Sequence, residues 1–169
     1  RINELEQDPF PKEERILLPS PKVSSYDQKP EMSAYEVTAK TLDAFEKKNY
    51  DFVLINFANP DLVGHSGNYQ ATVKACEVVD ACVGKIVAHV LKKDGVVLLT
   101  GDHGNAEQMV YPNGEPCPAH TTNRVPFSVI SNHLSHPLHE DGGLQDIGPT
   151  ILKLLDIQQP KEMTGKSLV

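Results

Sequence analysis

The most restrictive feature of this sequence is a short apolar run that ends in an Asp-His pair between two glycines. The run Val96–Leu99 has strand-forming composition, and the segment Gly101–Gly104 follows it almost at once. Open α/β sheets place their sites at the carboxyl ends of strands, where such a pair would be presented. The glycines allow a sharp turn and a close backbone approach. Because Asp and neutral His are suitable ligands for divalent cations, Asp102 and His103 predict a metal-binding strand end.

Segments of strand length alternate with helical patterns along the rest of the chain. Continuous apolar runs predict strands at Phe52–Phe57, Val96–Thr100 and Val125–Ile130, the first of them buried and parallel, and the tail Gly165–Val169 predicts a final short strand. Apolar residues recurring every three or four positions predict helices at Ser33–Lys48, Asn68–Lys93 and Asp146–Leu155. This alternation predicts an α/β fold, with a three-layer, mostly parallel sheet covered by helices on both faces.

Local signals at the helix ends and in the connecting loop refine this picture. Ser33 with Glu36 has the spacing of a capping box. Val37, Thr41, Leu42 and Phe45 are expected on the inner face of the helix that follows. Residues 101–124 are predicted to be one long loop, and a loop of that length in a compact domain is usually functional.

Composition excludes several classes of function. The chain has 169 residues, 39% of them hydrophobic and 23% charged, with a net charge of −7. No apolar run approaches the roughly 20 residues of a membrane span, and the acidic balance disfavours nucleic-acid binding. The cysteines do not form a CxxC pair, which favours reduced thiols in a cytoplasmic protein. Cys76 and Cys82 are predicted to be buried in the long helix.

Two further segments add candidate metal ligands. Asp61 and His65 follow the first predicted strand and lie one helical turn apart, and His120 lies near the end of the long loop. Taken alone, Asp61 and His65 fit an ordinary carboxylate at a helix start and an unrelated surface histidine slightly better than a metal site. Taken alone, Asp102 and His103 fit a polar turn and a metal site equally well. Together, two carboxylates and three imidazoles exceed what one cation requires. They suggest two metals, an arrangement suited to phosphoryl transfer. The remaining histidines are predicted to be ordinary surface or half-buried residues: His89, His133, His136 and His139.

With these residues in view, the sequence resembles cofactor-independent phosphoglycerate mutases of the alkaline-phosphatase-like superfamily. The resemblance runs in order through nearly the whole chain, and the segment Asp102–Met109 is its most specific part. The matching segments are Ser20–Val23, Lys29–Ser33, Asn59–His65, Gly101–Met109, Ala119–Asn123 and Met163–Ser167.

This resemblance implies an enzyme that interconverts 3-phosphoglycerate and 2-phosphoglycerate through a phosphoserine intermediate. It implies two divalent metals, Mn²⁺ or Mg²⁺, one held by Asp61, His65 and His120 and the other partly by Asp102 and His103. No segment matches the family's nucleophilic serine or its substrate-clamping domain. Residues 1–169 are therefore expected to be the C-terminal part of the metal-binding phosphatase domain, with no catalytic nucleophile and no activity alone.

Two other functional interpretations of the same residues stay open at this point. They are another alkaline-phosphatase-like enzyme, namely a phosphopentomutase, phosphodiesterase or sulfatase, and a metal-binding domain that is inactive on its own. The complete enzyme is expected to be a cytoplasmic monomer that binds phosphoglycerate and neither nucleic acid nor membrane. The isolated chain is expected to self-associate through an unpaired sheet edge.

Overall fold

The computed structural model of the chain describes residues 8–134, 137–139 and 141–169. Short 3₁₀ turns occupy Tyr26–Gln28 and Leu144–Asp146. The predicted surface histidine His136 lies outside the described residues. Within these ranges the helices are α1 (Ala34–Lys47), α2 (Asn59–Gly64), α3 (Tyr69–Lys92) and α4 (Ile147–Leu154), and the strands are β1 (Val97–Thr100) and β2 (Phe127–Ile130).

Helix α3 is the element against which α1 and α2 pack. As predicted, it begins directly after Asn68, whose side chain accepts a hydrogen bond from the backbone N–H of Ala71 at 3.1 Å. The apolar spacing in the sequence correctly identified its buried face, which includes Ala75 and Cys82. One small core cluster joins α3 to α2 and the second joins it to α1: Met32, Val63, Ala71 and Ala75, and then Ala34, Val78 and Cys82. The prediction that Cys76 is buried was wrong, because it lies on the exposed side of α3.

Helix α1 lies where it was predicted, but its N-terminus is not a capping box. The Ser33 side chain makes no capping hydrogen bond; its hydroxyl donates instead to the carbonyl of Pro19 at 2.8 Å. Ser33 therefore fastens the irregular N-terminal segment to the helix start. The four side chains predicted to face inward are half-buried, and Ala34 and Thr38 lie deepest.

The strands of the described residues form a two-stranded antiparallel sheet, not the mostly parallel sheet that was predicted. Val97 lies opposite Ile130, and Thr100 lies opposite Phe127. A parallel pair needs a crossover connection, but the segment between β1 and β2 folds back on itself. Isolated antiparallel bridges between Gly104 and Thr121, and between Val110 and Pro116, continue the pairing into this segment. The predicted loop is therefore an extended, irregular hairpin.

The apolar run Phe52–Phe57 is not a strand and is only partly buried, with Phe57 packed against the second core cluster, which contradicts the prediction. It has no ladder partner among the described residues, and Leu54 is 84% exposed. Phe52 and Val53 are also exposed. The apolar composition was correctly recognised, but a strand forms only where another strand supplies hydrogen bonds.

The C-terminal tail is held by side-chain hydrogen bonds and does not form the predicted strand. The Asp146 carboxylate accepts from the backbone N–H groups of Gly143 at 2.8 Å and Lys166 at 2.7 Å. These two bonds hold the pKa of Asp146 below its usual value, with the Lys166 amide making the larger contribution. The Thr150 hydroxyl in turn accepts from the backbone of Leu168 at 2.9 Å. The tail thus packs along α4 through donors and acceptors that strand patterns do not reveal.

Candidate metal centre

The candidate ligands come from three places in the chain. Asp61 lies in the first turn of α2, a position that the helix dipole favours for a carboxylate, and His65 follows the last residue of that helix. Asp102 and His103 follow β1, and His120 lies on the returning arm of the hairpin.

The Oδ1 atom of Asp61 is the point on which the imidazoles converge. The Nε2 atoms of His120 and His65 lie 3.0 Å and 3.2 Å from it. These two nitrogens are 3.1 Å apart. The Nε2 atom of His103 lies 4.0 Å from Asp61 Oδ1, and its ring stacks on His120 with centroids 3.7 Å apart. Four of the five predicted ligands therefore meet at one place.

Asp102 lies at the margin of this cluster. Its side chain is 87% exposed, and its Oδ1 atom is 3.7 Å from Nε2 of His103. Asp61, His103 and His120 present ligand atoms within 4.8 Å of one another. His103 is thus as much a neighbour of Asp61 as of Asp102, and the distances alone do not divide the ligands into the two sets that the resemblance implies.

The hydrogen bonding of the histidines fits a metal ion. Nδ1 of His65 lies 2.5 Å from the carbonyl oxygen of Pro118, and Nδ1 of His103 lies 3.4 Å from the carbonyl of Gly104. A carbonyl only accepts, so in a neutral ring Nδ1 carries the proton and Nε2 keeps its lone pair. In that tautomer these Nε2 atoms face Oδ1 of Asp61. Carboxylate oxygen with imidazole nitrogen is a donor set suited to a divalent transition metal.

Two residues beyond the predicted ligands shape this centre. Asn105 is 4% exposed, and its Nδ2 atom donates to Oδ1 of Asp61 at 2.9 Å. Its Oδ1 atom is buried against the Cα of Gly64, where any side chain would collide with it. Neither Asn105 nor Gly64 was predicted as a site residue, although both lie within the segments that carry the family resemblance.

Glu107 is the most perturbed acid near the centre. The Thr121 hydroxyl donates to its Oε1 atom, and the backbone N–H of Asn105 donates to Oε2 at 2.7 Å. Hydrogen bonds to the charged form, the one from Thr121 foremost, lower the pKa of Glu107 to about 2. Glu107 is therefore a carboxylate across the physiological range.

Comparison with known proteins identifies the family. A sequence profile of the metalloenzyme superfamily matches residues 2–159. The chain belongs to this superfamily. Membership confirms the predicted alkaline-phosphatase-like fold class, and the family is one of metalloenzymes.

In the part of the chain that the structure describes, no helix combines the length and apolarity needed to cross a membrane.

Individual relatives of the metalloenzyme domain are phosphoglycerate mutases. The chain is 57% identical over 158 residues to the 2,3-bisphosphoglycerate-independent phosphoglycerate mutase of Clostridium kluyveri, covering 93% of this chain and 31% of that protein. It is 52% identical over 163 residues to the enzyme of the same name from Moorella thermoacetica, covering 96% and 31%. The chain thus spans about a third of the length of the curated relatives it matches.

A solved structure shows the same relationship. The fold matches Leishmania mexicana phosphoglycerate mutase, determined at low cobalt concentration, with a TM-score of 0.77 and 29% identity. The match covers 89% of this chain and 30% of that one. The resemblance stated from the sequence motifs is therefore confirmed by both sequence and structure.

Proposed function

We propose that residues 1–169 are the C-terminal part of the metal-binding domain of a cofactor-independent phosphoglycerate mutase. The observation that carries this proposal is identity of 52–57% with mutases over nearly the whole chain. The geometry supports it, because conserving the fold alone would not require a carboxylate and three imidazoles to converge. The enzyme would interconvert 3-phosphoglycerate and 2-phosphoglycerate through a phosphoserine.

The ligands are assigned to two cations, Mn²⁺ or Mg²⁺. Asp61, His65 and His120 hold the first, and Asp102 and His103 contribute to the second. When bound, two divalent cations neutralise oxygens on the attacking and leaving groups of the phosphoryl transfer.

The other residues of the centre act on these ligands. The carbonyl of Pro118 keeps the Nε2 lone pair of His65 directed inward, and the Asn105 amide fixes the Asp61 carboxylate. The nucleophilic serine is expected in another part of the longer enzyme. The complete enzyme is proposed to be a cytoplasmic monomer that binds phosphoglycerate.

The test uses the longer protein that contains this chain and, separately, the chain itself. With 3-phosphoglycerate and excess Mn²⁺, the longer protein should form 2-phosphoglycerate, measured by a coupled assay, at a rate on the order of 10 per second. The chain alone should show no turnover, because the nucleophilic serine is expected in another part of the longer enzyme. Turnover by the chain alone would reveal a nucleophile within it, and an inactive longer protein would contradict the mutase assignment.

The appropriate control is the His133→Ala variant of the longer protein. His133 is an exposed histidine that pairs with Asp94 at 3.3 Å, away from the candidate ligands. This variant should retain activity, whereas His65→Ala should lose it.

A further inference from the structure

Glu107 binds the two arms of the hairpin together. Its Oε2 atom accepts from the backbone N–H of Asn105 on the outgoing arm at 2.7 Å. Its Oε1 atom accepts from the Thr121 hydroxyl and from Nδ2 of Asn123, the latter at 3.0 Å, on the returning arm. We call Asn105, Glu107, Thr121 and Asn123 the clasp.

Two members of the clasp lie close to candidate ligands in the sequence. Thr121 directly follows His120 in the chain, and Asn105 comes two residues after His103. Asn105 also contacts α2, the third segment that supplies a candidate ligand, through its hydrogen bond to Asp61. One carboxylate is thereby connected to the three segments that present Asp61, His103 and His120.

The backbone leaves room for this arrangement. The N–H of Thr121 donates to the carbonyl of Gly104 at 2.8 Å, which brings the two arms into contact beside the clasp. A side chain at position 104 would overlap both the Thr121 hydroxyl and the Glu107 carboxylate. The glycine of the Asp-His-Gly segment therefore makes space for the clasp in addition to allowing the turn.

In the observed arrangement the Glu107 side chain accepts through both of its oxygens, as a carboxylate does. Both N–H partners can only donate, so both oxygens of the side chain must accept. A glutamine would place an NH₂ group against one of these donors. The low pKa of Glu107 is consistent with this, since hydrogen bonds to a charged acceptor are stronger than those between neutral groups.

We propose that Glu107 is a positioning residue for the metal centre, which holds His103 and His120 at the separation that lets both face Asp61. It acts through the clasp and contacts neither metal nor substrate. The inference rests on the proposed metal centre and adds a residue to which no ligand role is assigned.

The test measures Co²⁺ binding to the chain by titration and by the visible absorption of the bound ion. Glu107→Gln and Thr121→Val should each weaken Co²⁺ affinity about 10-fold, the lower end of the effect of residues that orient metal ligands. Both should change the visible spectrum, which reports ligand geometry. Unchanged affinity and spectrum in both variants would overturn the proposal.

Matched variants separate positioning from general structural effects. Glu115→Gln removes the same charge from the tip of the same hairpin, where the Glu115 carboxylate accepts a local hydrogen bond from Nδ2 of Asn113 at 2.9 Å. This variant should bind Co²⁺ like the wild type. Thr121→Ser keeps the hydroxyl and should also restore wild-type binding. If Thr121→Ser is as defective as Thr121→Val, the methyl group matters and the clasp does not position the ligands.

The wild-type titration distinguishes the two proposals. If wild-type protein binds no Co²⁺, the metal centre and the clasp are both rejected. If Asp61→Asn abolishes binding while the clasp variants bind normally, only the role of Glu107 is rejected. Should Glu107→Gln fail to fold by circular dichroism, Thr121→Val against Thr121→Ser gives the same decision.

Discussion

At the scale of single residues, the carboxylate of Asp61 is the group that the histidines contact in common. Its Oδ1 atom lies within 3.2 Å of the Nε2 atoms of His65 and His120. In the proposed centre, removing either imidazole would therefore take a ligand from the same cation. Titration of the chain with Mn²⁺ should show one dominant site. His65→Ala should weaken Mn²⁺ binding at this site by roughly 100-fold or more, because loss of a ligand costs more than loss of a residue that only orients ligands.

His133→Ala is the matched control for this prediction. It removes an imidazole of the same kind from an exposed pair with Asp94 and should leave Mn²⁺ affinity unchanged. Two equally tight sites in the wild-type chain would contradict the proposed division of ligands, in which Asp102 and His103 alone make an incomplete second site.

Glu107 gives the stability of the chain a specific pH dependence. Its folded pKa of about 2 lies below the ordinary value of 4.5, so the folded state favours the carboxylate. The stabilisation is fully present above the ordinary value and is lost as the pH falls towards 2. The difference in free energy of unfolding between wild type and Glu107→Gln should therefore be largest above about pH 5 and shrink on acidification.

Urea unfolding at a series of pH values measures this difference. Glu115→Gln should follow the wild-type curve, since its carboxylate does not hold the hairpin arms together. A gap between wild type and Glu107→Gln that stays constant down to pH 2 would show that the charge of Glu107 is not its source.

At the scale of elements, α2 and the hairpin meet through the contact between Gly64 and Asn105. A Cβ at position 64 would collide with Oδ1 of Asn105, so Gly64→Ala must displace the amide that holds Asp61. We expect this variant to lower both the melting temperature and the Mn²⁺ affinity. Gly84→Ala lies in the interior of α3 with open space around it, and should raise stability by about 0.5–1 kcal/mol.

Calorimetry and metal titration of the two glycine variants check this prediction. Both changes add one methyl group to a helix, so the difference between them isolates the contact with Asn105. Equal effects on metal affinity would mean that α2 and the hairpin are not coupled at this point.

The elements differ in how well the sequence predicted them. Helix α3 was predictable because its cap at Asn68 and its apolar spacing are local properties. The convergence of Asp61, His65, His103 and His120 was predicted from their residue types, although the segment before Asp61 is not a strand and strand ends therefore do not explain it. The pairing of β1 with β2 was not, since strand direction depends on the path of the intervening chain. Asn105 and Glu107 escaped prediction because their contacts are set by the fold.

At the scale of the whole molecule, the exposed apolar segment around Leu54 predicts self-association of the isolated chain. Leu54, Phe52 and Val53 lie together at the surface and lack a strand partner among the described residues. Exposed apolar segments with unpaired backbone groups tend to associate with further chains. Leu54→Lys should therefore reduce the mass of the chain in solution, measured by light scattering after size-exclusion chromatography.

Leu144→Lys provides the comparison, because Leu144 is also exposed but belongs to the short turn before α4. It should leave the association unchanged. A wild-type chain that is monomeric at all concentrations would contradict the prediction.

The irregular hairpin also bears on the order in which the centre can form as the chain folds. The bond between Glu107 and Thr121 closes a separation of 14 residues, whereas the bond between Asn105 and Asp61 closes one of 44. Shorter loops cost less entropy to close, so contacts within the hairpin can form before α2 docks. We expect His103 and His120 to meet early as a two-imidazole pair. Asp61 and His65 would then complete the centre when α2 docks, so metal capture should be a late reporter of native packing.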